Sequence, residues 1–199
     1  HRHKGGSGRQ LDKLSAVKLL HDNDDADCIW ITTGDAELIK LNTATDQMEI
    51  YTIPADNTPA VLISLKSGLF QNHLLVGTDE LFVFDKTTGV FKLVYSLAQS
   101  GNIKMNRFND VAVDLKDNNT VWLASGDIWG RGSLGGLLKL NLETGETKSF
   151  TTENRPDEIP DIHILTVCFS ESDKLWVGTR NHGAILNDIK QDRFFNYQS

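Results

Sequence analysis

The sequence has few cysteines, no long basic run and no long apolar stretch, and each shortage excludes a class of protein. Its 199 residues include two cysteines, Cys28 and Cys168, and no Cys or His spacing fits a zinc site. No Lys/Arg run exceeds two residues and the formal net charge is −7, so nucleic acid is not an expected partner. No apolar stretch approaches a membrane span, so direct membrane insertion is not expected, and no signal-peptide pattern opens the chain. Both cysteines fall in predicted strands, where we expect buried free thiols.

A short motif recurs four times along the chain. In each copy a large apolar residue precedes an aliphatic one, a small one and a hydroxyl, which is typical of a buried strand against which another element packs closely. The copies lie at residues 29–33, 74–78, 121–125 and 174–179. Their anchor positions are 30, 75, 122 and 176, so the steps between them are 45, 47 and 54 residues.

Three further apolar runs surround each anchor. One precedes it, one follows it closely, and the last ends on an aromatic residue, which is Tyr51, Tyr95, Phe150 or Tyr197. Turn signals separate the last two runs, as at Thr88-Gly89 and Thr144-Gly145. Each repeat therefore contains four short strands, A to D, and a period in the forties with four strands is typical of a β-propeller blade. We predict an all-β propeller with four-stranded antiparallel blades at about 16–54, 59–100, 108–154 and 164–199.

The ends of the repeat array raise the question of closure. Residues 1–15, which include the segment HRHKGGSG, are expected to be a tag, linker or lead-in outside the blades. Four blades would either close into a small ring or form an arc of a larger propeller. An arc leaves apolar flanks exposed, and a few hundred Å² of such surface costs on the order of 5–10 kcal/mol. We therefore expect self-association, or further blades in a longer chain of which this is a part.

Two local patterns resemble binding motifs of other folds, and the sequence argues against both. The acidic turn at 21–27 has Asp27 where a calcium loop needs glycine and Thr33 where it needs glutamate, so we expect a solvated turn. Gly130, Gly132 and Gly135 match the dinucleotide fingerprint, but a strand pattern follows where that chemistry needs the start of a helix. We therefore predict neither a metal nor a cofactor, and interpret the glycine-rich stretch as an enlarged, flexible loop.

Three segments of the fourth repeat carry a resemblance to a known family. They are Lys174-Leu175-Trp176-Val177-Gly178-Thr179, His182-Gly183-Ala184-Ile185-Leu186-Asn187 and Phe194-Phe195-Asn196-Tyr197. Together they resemble the two-component regulator propeller repeat. The resemblance covers about residues 16–199, although the first repeat has Asp35-Ala36-Glu37 in place of a glycine pair and the second has Leu75 in place of the tryptophan.

The resemblance implies a function for the parent protein. Repeats of this family usually form the periplasmic sensor part of hybrid two-component receptors, best known from gut Bacteroidetes. The resemblance implies that this chain is a periplasmic, non-catalytic sensor segment that binds an oligosaccharide or another small extracellular ligand and signals through a membrane helix to a histidine kinase in a larger protein. A protein-docking scaffold is one alternative. A propeller lyase or glycosidase that works through His163 or His182 is another.

The candidate ligand site follows from propeller topology, in which strand A lines the central channel. Loops between strands B and C share one face with the linkers from D to the next A, and this face carries the long irregular segments. We expect a tryptophan to stack on a sugar ring, arginines to bind carboxylate or sulfate groups, and Asn and His side chains to bind hydroxyls. The candidates are Trp129, Arg131, Arg107, Asn109, Arg155, His163, Arg180, Asn181 and His182. By contrast, Trp30, Trp122 and Trp176 are expected to pack between blades.

Overall fold

The structure, a computed structural model, describes residues 2–4, 15–54, 64–67, 72–98, 105, 107–114, 116–170 and 174–197. These residues form seventeen β-strands in four antiparallel sheets, and no helix is present among them. The described part of the chain accordingly has no helix that could span a membrane. The predicted all-β class with four-stranded antiparallel blades is confirmed.

The chain divides into two compact units, His1–Leu93 and Val94–Ser199. The first unit contains sheet 1, with the strand order β1-β5-β4-β3-β2, and sheet 2, with the order β6-β7-β8-β9. The strands are β1 (Arg2–Lys4), β2 (Ala16–His21), β3 (Cys28–Thr33), β4 (Glu37–Asn42), β5 (Gln47–Thr52), β6 (Ser64–Ser67), β7 (His73–Gly77), β8 (Glu80–Asp85) and β9 (Val90–Ser96), within which the boundary between the units falls.

The second unit contains sheets 3 and 4, whose strands follow one another in chain order from the inner to the outer edge of each blade. Sheet 3 consists of β10 (Phe108–Val113), β11 (Thr120–Gly126), β12 (Gly135–Asn141) and β13 (Thr147–Phe150). Sheet 4 consists of β14 (Ile164–Phe169), β15 (Lys174–Thr179), β16 (Ala184–Asp188) and β17 (Arg193–Tyr197). The glycine-rich stretch leads into the strand β12, which begins at Gly135, so a strand follows it as predicted.

Two places differ from the predicted strand pattern. The first fifteen residues are predicted to lie outside the blades, but Arg2–Lys4 pairs antiparallel with β5 and adds a fifth strand to the edge of sheet 1. Without β1, β5 would be an edge strand with unpaired backbone donors and acceptors, and pairing with Arg2–Lys4 satisfies them. Strand A of the second repeat is predicted at 60–65; the structure has β6 at Ser64–Ser67, and residues 60–63 lie outside the described part.

The core of the first unit is an aromatic cluster between sheets 1 and 2. Trp30 is fully buried, and its ring centroid lies 5.5 Å from that of Phe84, which is 4.9 Å from that of Tyr51. Trp30 Nε1 donates to Asp22 at 2.6 Å, and Lys86 Nζ donates to the other oxygen of the same carboxylate at 2.7 Å. Trp30 thus packs between blades as predicted. The acidic turn is not simply solvated, because its first carboxylate is buried and binds a lysine.

The core of the second unit lies between sheets 3 and 4. The ring of Trp122 stacks on Phe150 with centroids 5.5 Å apart, and Phe150 meets Phe194 edge-on at 5.2 Å. Near the inner edge of the two sheets, Thr166 Oγ1 donates to the buried Asp110 carboxylate at 2.5 Å. Trp122 is therefore a packing residue between blades, as the repeat pattern predicts.

The two cysteines have different environments. Cys28 is buried and free, as predicted, and burial raises the pKa of its thiol to about 11. Cys168 is exposed, so the prediction of a buried thiol is wrong for this residue. The reason is the alternation of side chains along a strand: Val167 points into the core between sheets 3 and 4, so the next residue points to the opposite face.

Trp176 also lies on that opposite face of sheet 4. The neighbouring Leu175 is packed in the core, whereas Trp176 is half-buried and its ring lies 5.4 Å from that of Tyr197 in the same sheet. The expectation that Trp176 packs between two blades is therefore wrong for the sheets that the structure describes. Its repeat position places it on the face of sheet 4 that points away from sheet 3. On that face, Tyr197 has the only ring among the described residues that contacts Trp176.

Candidate functional site

Two loops and the end of one linker in the second unit form the candidate site. We call this surface the loop face and define it as residues 127–134 between β11 and β12, 159–163 before β14, and 180–183 between β15 and β16. It contains six of the nine residues predicted to bind ligand. They are Trp129, Arg131, His163, Arg180, Asn181 and His182.

Arg180 connects the segments of the loop face. Its Nη1 donates to the carbonyl of Ile128, and its backbone N donates to the carbonyl of His163 at 3.0 Å. The glycine at 130 lies against the same side chain, since a Cβ at Gly130 would come within 2.7 Å of Arg180 Nε. The guanidinium therefore supports the turn before β12, and part of its donor capacity is already used within the protein.

Trp129 stands on the turn that Arg180 supports. The turn closes through Gly130 N donating to the Asp127 carbonyl at 3.0 Å and Trp129 N donating to Asp127 Oδ1 at 2.7 Å. The side chain of Trp129 is 62% exposed. The turn fixes the backbone of Trp129 while its ring remains in contact with solvent. Such a ring provides a flat apolar surface with a polar N–H at one end. Arg131 is exposed two residues further along the same loop.

Asp161, which the sequence analysis missed, organises the rest of the loop face. Its buried carboxylate accepts from the backbone N of His163 and of Asn181, both at 2.9 Å, and lies 3.4 Å from His182 Nδ1. Burial alone would raise the pKa of the Asp161 carboxyl, but these hydrogen bonds hold it below its ordinary value. Asp161 is thus a carboxylate at neutral pH, and it orients the partly exposed ring of His182. An Asp three residues before a strand is an Asx-turn signal that could have identified it.

His163 is placed differently from His182. Only 7% of it is exposed, and its Nδ1 is buried without a hydrogen-bond partner in the described part of the chain. Its backbone lies against the end of β11, where a Cβ at Gly126 would come within 2.7 Å of His163 Cα. His163 therefore contributes its backbone to the loop face, while its ring is directed into the protein.

Asn109 and Arg107 lie at the start of β10, outside the loop face. Asn109 is the extra residue of a bulge in β10, and its Nδ2 donates to the carbonyls of Gly126 at 2.9 Å and Ile164 at 2.8 Å. With 3% of its surface exposed, Asn109 holds sheets 3 and 4 together. Arg107 is half-buried, and its Nε has no hydrogen-bond partner among the described residues.

Arg155 lies at a different place from the predicted one. Its Nη2 donates to Asp192 Oδ2 at 2.8 Å and its Nη1 to Glu158 at 3.1 Å. Asp192 belongs to the turn between β16 and β17, which propeller topology places on the face opposite the loop face. The linker folds into a turn, with Arg155 N donating to the Thr151 carbonyl at 2.9 Å, and this turn directs the guanidinium to the outer strands.

The described residues do not form a metal centre. In the parts of the chain that the structure covers, no three His, Cys, Asp or Glu side chains come together in an arrangement that would hold a metal ion. The loop face therefore offers an aromatic surface, hydrogen-bonding side chains and a carboxylate–imidazole pair as its means of recognition or chemistry.

Comparisons with known proteins identify the fold. No protein-family model and no curated protein matches the sequence. Among solved structures, the chain is similar to the extracellular domain of BT3049 from B. thetaiotaomicron, assigned as a hybrid two component system, with 18% identity, a TM-score of 0.72 and coverage of 99% of this chain and 26% of that one. The corresponding domain of BT4673 from the same organism is 15% identical, has a TM-score of 0.67, and is matched over 98% of this chain and 23% of that one. A streptogramin B lyase structure is 12% identical, has a TM-score of 0.67, and is matched over 100% of this chain and 59% of that one.

These likenesses establish the propeller-type fold at identities too low to establish more. Extracellular domains of two-component systems are among the proteins that share the fold, in agreement with the resemblance carried by the repeat motif. The chain spans about a quarter of the length of those two solved extracellular domains.

Proposed function

We propose that the chain is a non-catalytic sensor segment of an extracellular two-component receptor, and that it binds an oligosaccharide on the loop face. The solved extracellular domains of similar fold support the sensor role. The observation that carries the choice of ligand is Trp129, an exposed ring on a supported turn. In this proposal the segment lies in the periplasm, and a histidine kinase elsewhere in a longer protein receives the signal.

The loop face matches the chemistry of a sugar. The ring of Trp129 would pack against the C–H face of a pyranose, because both surfaces are flat and weakly hydrated. Asn181 is exposed and His182 is partly exposed on the same loop face, and both supply donors and acceptors for hydroxyl groups. Arg131 would bind a carboxylate or sulfate on an acidic sugar with its planar guanidinium. The proposal therefore favours acidic oligosaccharides over neutral ones.

Calorimetry with a panel of neutral and acidic oligosaccharides tests the proposal. We expect at least one to bind, and Trp129→Ala to weaken it by about 2 kcal/mol, or roughly 30-fold in Kd, as for an aromatic residue at the centre of an interface. Tyr197→Ala is the matched control, because this ring is also largely exposed but lies outside the loop face. Equal affinity of Trp129→Ala and wild type, or no binding across the panel, would refute the proposal.

One observation favours a second candidate function, a lyase or glycosidase. The Asp161 carboxylate lies 3.4 Å from Nδ1 of the partly exposed His182. A carboxylate that orients an imidazole is an arrangement suited to general-base catalysis. In that case His182→Ala would abolish turnover of a bound sugar while calorimetric affinity persists. Absence of turnover by the wild-type protein, for every sugar that it binds, would exclude this candidate.

A further inference from the structure

A small open crevice lies between sheets 3 and 4, and none of its lining residues belongs to the loop face. The cavity volume of this crevice is about 50 Å³, and its walls include Trp122, Lys139, Lys148, Phe150, Asn187 and Asp192. This space is smaller than the roughly 300–1,000 Å³ of pockets for drug-sized ligands. Any ligand of the crevice is therefore small.

Two buried polar atoms of the lining residues lack partners. Trp122 is 2% exposed and Asn187 is 1% exposed, and both indole Nε1 and amide Oδ1 are without a hydrogen-bond partner in the described part of the chain. The first atom carries a donor and the second is an acceptor. Buried groups of this kind are nearly always satisfied in folded proteins, because an unpaired one has lost its hydrogen bonds to water without replacing them. Two complementary ones beside the same crevice indicate a site for a group that donates and accepts.

The equivalent position in the first unit shows how the fold satisfies this indole without a ligand. Trp30 occupies the same repeat position as Trp122, and its Nε1 donates to Asp22 at 2.6 Å. Lys86, the residue directly after β8, donates to the same carboxylate at 2.7 Å. The indole, carboxylate and ammonium thus form a complete chain of hydrogen bonds in the first unit.

The second unit has lost both of these partners. The counterpart of the first-unit carboxylate is Asp114, which likewise follows strand A and accepts from the backbone N of Lys116 at 3.0 Å, but it does not accept from the indole of Trp122. The counterpart of the lysine, directly after β16, is Ile189, which cannot donate. Trp122 Nε1 is thus without an acceptor among the described residues, and the apolar side chain at 189 is part of the crevice wall.

The charges at the crevice favour an anion. Lys139 Nζ lies 5.4 Å from the centroid of the Trp122 ring, and Lys148 Nζ lies 5.0 Å from that of Phe150. Among the lining residues these two cations face a single carboxylate, Asp192, which Lys148 contacts at 2.8 Å. The lining therefore has a surplus positive charge, which Lys139 contributes.

We propose that this crevice binds a small hydroxylated carboxylate, whose hydroxyl accepts from Trp122 Nε1 and donates to Asn187 Oδ1 while its carboxylate faces Lys139. A free hydroxy acid and a single uronic acid unit share this chemistry. The site is independent of the loop face and of the ligand proposed there, because it shares no residue with that surface.

The indole N–H resonance of Trp122 in the ¹⁵N-labelled protein tests the proposal, with glycerate as the probe and Trp122→Phe for assignment. We expect glycerate to shift this resonance saturably at about millimolar concentration and to leave the internally bonded Trp30 unchanged. Lys139→Gln should raise the Kd about tenfold. Its matched control is Lys40→Gln, since Lys40 lies over Trp30 at 5.8 Å in the same repeat position and should have no effect.

Glycerol and acetate separate the two halves of the proposed recognition. Each should bind at least about tenfold more weakly than glycerate, because glycerol lacks the carboxylate and acetate lacks the hydroxyl. Trp129→Ala should leave the glycerate titration unchanged, so the loop-face proposal and this one can fail separately. The proposal is overturned if glycerate at about 50 mM leaves the Trp122 resonance in place, if acetate binds as well as glycerate, or if Lys139→Gln binds as tightly as wild type.

Discussion

Asp22 is a buried carboxylate that accepts three hydrogen bonds. The donors are Trp30 Nε1 at 2.6 Å, Lys86 Nζ at 2.7 Å and the backbone N of Asp24 at 2.9 Å. Burial alone would raise the pKa of the Asp22 carboxyl, but the hydrogen bonds from Lys86 and Trp30 hold it below its ordinary value. Because the folded protein stabilises the charged form, this residue couples the stability of the first unit to pH.

We expect Asp22→Asn to cost about 1–3 kcal/mol of unfolding free energy near pH 7, and the difference from wild type to shrink as pH falls below about 4. The pKa of Asp22 is lower in the folded protein than in the unfolded chain. The stabilisation that its charged form provides is therefore complete above the unfolded-state pKa and is lost as pH falls through the folded-state pKa. Urea unfolding at several pH values between about 7 and about 3 measures the difference. Asp46→Asn, in an exposed turn, is the control and should show no such trend. A gap that stays constant across this range would contradict the coupling.

How far single residues were predictable depends on whether their partners are local. Trp30 and Trp122 repeat at a fixed distance from turn signals, so their packing role could be read from the sequence. Asp161 accepts from Asn181, twenty residues away, and this contact exists only because the linker returns to the next blade. The contact between Arg155 and Asp192 is also non-local, since a turn within the linker directs the guanidinium there, and the repeat pattern does not predict that turn.

Among the secondary-structure elements, the end of β11 explains how the loop face is held. Gly126 has a φ of 147°, and a Cβ there would lie 2.7 Å from His163 Cα and 2.9 Å from the Ile162 carbonyl oxygen. The backbone of the linker therefore lies directly on the backbone of the strand, an approach that only glycine allows. The loop that carries Trp129 begins at this contact.

Gly126→Ala should destabilise the protein by at least about 2 kcal/mol, because the added methyl group must displace backbone atoms as well as accept a strained φ. Gly132→Ala is the matched control in the same loop: its Cβ would meet Asp127 Cβ at 3.5 Å, an ordinary contact, and φ there is not in the left-handed region. We expect the control to change the unfolding free energy by less than about 0.5 kcal/mol. Urea denaturation of the two variants decides the matter, and equal midpoints would show that the close approach is not required.

The strands themselves were predictable because alternation and turn residues act over a few positions. Side-chain alternation also assigns Val167 and Cys168 to opposite faces of sheet 4. It does not say whether another sheet covers each face, and so both Cys168 and Trp176 were expected to be buried. Coverage is a property of neighbouring elements, and a repeat pattern within one element carries no information about it.

For the whole molecule, the uncovered face of sheet 4 is the feature with the largest consequence. The strand register places Cys168, Trp176, Leu186 and Phe195 in one row across the sheet, in which Cys168 and Phe195 are exposed, Trp176 is half-buried and Leu186 is buried. The equivalent faces of sheets 1 and 3 are covered by the next sheet within their own units. On sheet 4, by contrast, Phe195 is 39% exposed and Tyr197 is 53% exposed. We call this row together with Tyr197 the sheet 4 flank.

We propose that the sheet 4 flank binds a second copy of this chain when the chain is alone in solution; in a longer protein, a further blade would take the same position. Sedimentation velocity should then show a dimer that dissociates on dilution, with a Kd in about the micromolar range. Phe195→Lys combined with Tyr197→Lys should weaken it at least about tenfold, because both charges would be buried in the contact. These side chains are exposed in the single chain, so the fold should tolerate the change.

Val90→Lys, at an exposed apolar residue of sheet 2, is the control and should leave the dimer intact. A chain that remains monomeric at about 100 µM, or a dimer that survives the double substitution, would mean that this face does not mediate association.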